Sequence, residues 1–142
     1  MVRIPDDVRS VLESGRLAHL VTLNADGSPQ VTIVWVGLEG DEIVAGHLGM
    51  FHKLKNVQRD SRVALSIELD TLNPIGLTEY LVVNGRARVQ EGGGAELLQR
   101  LAYVYISPGV KFPPMDKPPS GYVLRITPER FGGVGSWANP IG

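Results

Sequence analysis

Cysteine is absent from this 142-residue chain. Its absence excludes disulfides, thiolate nucleophiles and cysteine metal sites, and it fits a reducing compartment. An excess of either charge is missing too: 14 Lys and Arg stand against 15 Asp and Glu, for a net charge of −1. No broad basic face is therefore on offer to a nucleic acid. No apolar run is long enough to span a bilayer, and the first residues lack a signal peptide's apolar stretch. These absences predict a cytoplasmic protein with neither membrane nor nucleic-acid partners. The three histidines, His19, His47 and His52, fall in separate elements without metal-ligand spacing, so no metal site is expected. There is no G-x-S-x-G elbow and no carboxylate pair suited to acid–base work, and no catalytic residue stands out.

Glycine and proline are plentiful, at 17 and 10 residues, and they cluster between strand-like runs. That distribution suits a mainly antiparallel β protein, and the length suits one domain over residues 1–142. Helical spacing of Ile4, Val8, Val11 and Leu12 predicts a first helix over Pro5–Ser14. Strand patterns follow at Arg16–Asn24, Pro29–Val36 and Glu42–Leu48, separated by the turns Asn24–Ser28 and Glu39–Asp41. A short basic helix is predicted over Met50–Arg59. It feeds the clearest alternation in the chain, Val63, Leu65, Ile67 and Leu69 within Arg62–Leu69. A fifth strand, Thr78–Glu91, carries Gly85 at its middle, the mark of a bulge or sharp bend. A third helix over Ala95–Tyr105 would turn Leu97, Leu101 and Val104 inward. Five prolines make Ser107–Ser120 an irregular loop, and a sixth strand, Gly121–Thr127, precedes a glycine-rich tail. Six strands with three short helices cannot cover both faces of an open sheet. Closure into a small barrel removes the edges and solves this.

Three places carry potential chemistry. Lys53 and Asn56 lie three residues apart on one arc of the basic helix, where a lysine ammonium and an amide can hold a phosphate. From spacing alone, a solvated helix face fits equally well. Along the second strand, Gln30, Thr32, Val34 and Val36 form a semi-polar stripe that a flat heterocycle could lie against, although an ordinary barrel strand reads the same way. Phe112 and Met115 in the proline-rich loop, and Trp137 near the C-terminus, would either cover a pocket or pack on a second subunit.

The order of these segments resembles the flavin-type split β-barrel superfamily, which includes pyridoxamine phosphate oxidase and the deazaflavin-dependent reductases. The resemblance rests on Leu17-Ala18-His19-Leu20-Val21-Thr22-Leu23, on Asp26-Gly27-Ser28-Pro29-Gln30-Val31, and on Lys53-x-x-Asn56-x-x-Arg59-Asp60-x-Arg62-Val63. It covers nearly the whole chain and looks most like the branch that binds coenzyme F420. It implies a six-stranded antiparallel split β-barrel (FMN-binding split barrel-like) with peripheral short helices. It also implies a homodimer with two cofactor sites in grooves between subunits. Lys53 and Asn56 would meet the cofactor phosphate. Gln30, Val31, Thr32 and Ile33 would run along the ring, and Gly46, His47 and Leu48 would line the path to the phosphate. Trp137 would approach from the other chain. Relatives often carry an Arg shortly before this Lys; here Phe51 and His52 stand there, leaving Lys55 as the nearby cation. The implied activity is F420H2-dependent transfer of hydride to a small organic substrate. The alternatives are an FMN-dependent oxidoreductase resembling pyridoxamine phosphate oxidase, a non-enzymatic dimer that binds a flavin or deazaflavin, and, more remotely, a haem-binding relative.

Overall fold

A computed structural model of the chain describes residues 2–138. Three helices, α1 (Asp6–Leu12), α2 (His52–Arg59) and α3 (Gly94–Tyr105), accompany seven strands. The strands are β1 (Ala18–Leu23), β2 (Pro29–Val34), β3 (Gly37–Glu39), β4 (Glu42–His47), β5 (Arg62–Leu72), β6 (Thr78–Glu91) and β7 (Tyr122–Val134). They form one antiparallel sheet in the order β2-β1-β5-β6-β7-β4-β3. Every strand, including the two at its edges, sends side chains into one core: Leu20, Val34, Leu38, Ile43, Leu65, Leu81 and Leu124 all belong to it. The sheet therefore curls round a shared interior, as the barrel expectation required. Val8 and Leu12 of α1 and Leu54 and Val57 of α2 enter the same core. Helix α3 lies outside, pressing Leu97 and Leu101 onto Val44 and Val123.

The strand count is seven rather than six, because the run expected as Pro29–Val36 breaks at Trp35. The break is made by Tyr105, 69 residues further on, whose hydroxyl accepts the Val36 N–H at 2.9 Å. The same oxygen lies 2.9 Å from the Arg16 carbonyl and 3.2 Å from that of Val36. The backbone polar groups at the kink are thus satisfied without a ladder, and the chain is free to restart as β3.

The last strand is longer than its pattern suggests. It runs through Pro128 and the glycines to Val134, pairing with β6 as far as Tyr80. The register shifts between Asn84 and Gly85, so Pro128 sits at a bulge where a missing N–H costs little. A Cβ on Gly85 would come within 2.4 Å of the Thr127 carbonyl oxygen, so only glycine allows the two strands to approach there. The bend expected at Gly85 is real, and what was read as a tail is the far end of β7.

The β1–β2 hairpin is closed by Asn24–Ser28. Asn24 N–H donates to the Ser28 carbonyl at 2.8 Å, and Gly27 takes φ +84°. Helix α1 is tied to the β3–β4 turn through Arg9, which reaches the Gly40 carbonyl at 2.7 Å and the Asp41 carboxylate at 2.8 Å.

Val104 does not turn inward as its spacing suggested. It is 56% exposed, whereas Leu101 is 3% exposed. Leu101→Ala is accordingly expected to cost about 2–5 kcal/mol, and Val104→Ala to stay within about 0.5 kcal/mol of the parent, in urea unfolding.

Candidate functional site

The ends of β2 and β4, helix α2, helix α3 and the proline-rich loop meet at a cleft of about 210 Å³. Ile33, Val34 and Trp35 form one wall, Gly46 and His47 another, and Lys53, Leu98 and Phe112 complete it. Four of the residues expected from the sequence, Ile33, Gly46, His47 and Lys53, therefore share one space although they come from three elements.

Lys53 is positioned by the opposite face of its own helix. Leu54 and Val57 are buried in the core, which leaves Lys53 partly buried at the cleft. Among the described residues its ammonium makes no hydrogen bond and no ion pair. Burial pulls its pKa below the usual lysine value. No Asp or Glu lines the cleft. A partly dried cation with no partner is costly unless an anion arrives.

His47 ends β4 and is only 5% exposed. Its Nδ1 is buried without a hydrogen-bond partner. Burial first, and the Lys53 charge second, push its pKa down to about 4, against a weaker opposing pull from the Ala45 carbonyl. The imidazole is therefore neutral at pH 7. Its backbone is fixed by two close approaches: a Cβ on Gly94 would fall 2.3 Å from the His47 carbonyl oxygen, and one on Gly121 would fall 2.1 Å from it. Gly121 also holds φ +65°. Phe51 stands edge-on to the ring at 6.1 Å.

Asn56 does not sit on an exposed arc beside Lys53, and this corrects the sequence expectation. It is fully buried. Its Nδ2 donates to Thr22 Oγ1 at 3.0 Å, Asn24 Oδ1 at 2.9 Å and Gln30 Oε1 at 3.2 Å. Arg59 donates to its Oδ1 at 3.1 Å and to the Leu23 carbonyl at 2.5 Å. The amide that was expected to reach a phosphate is spent on holding α2 against the β1–β2 hairpin. Gln30 belongs to the same network, since Thr22 Oγ1 also donates to it at 3.2 Å. Gln30 does not line the cleft.

The other expected residues divide between faces. Val31 points outward and is 60% exposed; Ile33 shares that outer face while also bordering the cleft. Thr32 keeps a buried hydroxyl without a partner. Leu48 follows β4 at the close contact with Gly121. Trp137 does not line the cleft of its own chain. Its indole donates to the Gly132 carbonyl at 2.9 Å and packs on the barrel core.

Aromatic side chains that the sequence does not mark as site residues complete the cleft. Trp35 stacks on Tyr105 at 5.3 Å, and Phe112 tilts against Trp35 at 5.1 Å. Phe112 therefore covers a pocket within its own chain, one of the two roles open to it. Gln99 holds it there, donating to the Val110 carbonyl at 2.7 Å and accepting from the Phe112 N–H at 2.9 Å. The signal that could have found Phe112 is an aromatic in a proline-rich loop, where an exposed ring would be out of place. Taken together, the cleft offers one unpaired cation and apolar, aromatic walls, which suit a flat ring bearing an anionic arm. Among the described residues no group of three His, Cys, Asp or Glu is placed to hold a metal, and no helix is long and apolar enough to cross a membrane.

The sequence profile of a family described as pyridoxamine 5'-phosphate oxidase matches residues 4–135. No curated protein matches the chain. Among solved structures, an F420 reductase shares 23% identity over 90% of this chain and 98% of its own, with a TM-score of 0.69. The conserved hypothetical protein Rv2991 of Mycobacterium tuberculosis shares 23% identity over 94% of this chain and 85% of its own, with a TM-score of 0.71. HupZ of Group A Streptococcus shares 19% identity over 96% of this chain and 98% of its own, with a TM-score of 0.65. At these identities the likeness is one of fold.

Two outcomes follow from the site itself. The folded protein holds His47 at about 4, below its unfolded value of 6.5. Between these values the unfolded chain binds more protons, so stability falls as pH drops from 6.5 toward 4. His47→Gln should remove part of that slope, roughly 2–3 kcal/mol at most, in urea midpoints measured across that range. Asn56→Ala should cost about 1–3 kcal/mol at any pH in the same assay, because it strips partners from Thr22, Asn24 and Gln30.

Proposed function

The chain belongs to the pyridoxamine 5'-phosphate oxidase family, and from that premise we propose that it is an oxidoreductase using reduced coenzyme F420 to reduce a small organic substrate. The observation that carries this reading is Lys53: a partly buried ammonium, unpaired, on an apolar cleft without a carboxylate. The fit is chemical. Lys53 would take the cofactor's phosphate, with Gly46, His47 and Leu48 along the approach. Ile33, Trp35 and Phe112 would flank the ring.

When bound, the deazaflavin supplies the hydride. The residues of this chain bind and orient it. The Asn56 network holds α2 and the β1–β2 hairpin together, so that Lys53 and the β2 wall keep their spacing. Trp35 and Phe112 exclude water from one side of the cleft. No protein acid is called for, because solvent or the substrate itself can deliver the proton. The proposal also includes a homodimer. Its support is the outer face of β2, an edge strand with Val31 60% and Ile33 56% exposed, beside Leu17 at 53%.

Membership of this family makes FMN the alternative cofactor. Parallel fluorescence titrations with F420 and FMN decide between them. The proposal expects F420 to bind at least tenfold more tightly; the reverse order would replace it with the FMN reading, and no binding of either would overturn the cofactor reading. Lys53→Ala should weaken the preferred cofactor by about 1–3 kcal/mol. Sedimentation should give twice the chain mass; a monomer that still binds cofactor would remove the dimer from the proposal.

A further inference from the structure

The geometry points to His47 as a second anion-binding group of the cleft, one that takes up a proton as the ligand's charged end settles beside Lys53. This rests on the cleft being the cofactor site proposed above. Three observations carry it. His47 is 95% buried, and its Nδ1 has no hydrogen-bond partner. The residue lines the cleft together with Lys53. The third is rigidity. Gly94 and Gly121 fit closely against the His47 carbonyl, which fixes the backbone there, and Phe51 stands edge-on to the ring.

The surrounding charges fix the direction of the effect. Helix α2 brings Lys53, a cation. On β7 the cross-strand neighbour is Tyr122, a phenol without formal charge in its side chain's ordinary form. Helix α3 brings Gly94 and Leu98; β2 and the proline-rich loop bring Ile33, Val34, Trp35 and Phe112. No carboxylate lines this space. In the free protein a protonated His47 would be a second cation beside Lys53 in a dry wall, which disfavours it. An incoming phosphate reverses that balance, since it can accept a charged hydrogen bond from each. Protonation of His47 and binding of the anion therefore favour one another. By linkage, affinity must rise as pH falls toward the free-state pKa of the ring, with a limiting slope of about tenfold per pH unit for one proton.

The experiment is a titration of F420 and of FMN into the wild-type protein and into His47→Gln from pH 5.5 to 8.5, in buffers free of phosphate. It is paired with calorimetry in two buffers of different ionisation enthalpy, which counts protons taken up. Imidazole nitrogen NMR on the wild type reads His47 directly. The expected result is wild-type affinity for the bound cofactor at least fivefold higher at pH 6 than at pH 8, net proton uptake at pH 6, and a His47 resonance that becomes protonated in the complex. His47→Gln should lose most of the pH dependence. Tight wild-type binding with a flat pH profile, or a His47 that stays neutral in the complex at pH 6, would overturn this inference and leave the cofactor proposal standing. Failure of the wild type to bind either cofactor would overturn both.

Discussion

One buried amide governs how this protein's parts are placed. Asn56 faces the hairpin rather than solvent, and its Nδ2 is shared among Thr22, Asn24 and Gln30. Buried polar groups are expensive unless every partner is in place, so this contact has one good geometry. It sets the height and rotation of α2 relative to β2. Lys53, one turn earlier on the helix, is thereby held across the cleft from Ile33 and Trp35. The core residues Leu54 and Val57 supply the driving force for docking α2, roughly 25 cal/mol per Å² of apolar area buried. They do not choose its register; the polar network does.

The cleft reverses the usual relation between burial and pairing. Elsewhere in the described chain, partly buried charges are matched: Arg125 meets Glu39 at 2.8 Å, and Arg9 meets Asp41 at 2.8 Å. At the cleft, Lys53 is unpaired and His47 Nδ1 lacks a partner. Unsatisfied groups gathered in one small space among otherwise satisfied ones are what a binding site looks like before its ligand arrives. The barrel's stability elsewhere is what tolerates them.

Much of the fold was readable where local pattern and tertiary need agreed. The alternation from Val63 to Leu69 became β5, and Thr78–Glu91 became β6 with its bulge at Gly85. Errors came where a distant residue decided. Nothing near Trp35 announces a strand break, because its cause is Tyr105. Pro128 and the glycines after it read as breakers, yet the long β6 template carries β7 through them. The same limit applies to the site. Lys53, Gly46 and His47 were named from the sequence, through a family resemblance. The true posture of Asn56 was hidden, since an asparagine on a short basic helix looks solvated until a hairpin is laid over it. Trp35 went unassigned because its partners Tyr105 and Phe112 are remote in sequence.

The clasp between Gln99 and the loop decides what the cleft can select. Both hydrogen-bonding ends of one side-chain amide are occupied by backbone groups on either side of Lys111. The ring of Phe112 is thereby carried by the helix beneath it instead of by a free loop, and it works as a ceiling whose height the barrel dictates. A wall held in this way would sort molecules by thickness before outline, favouring a planar conjugated ring over a puckered one of the same area.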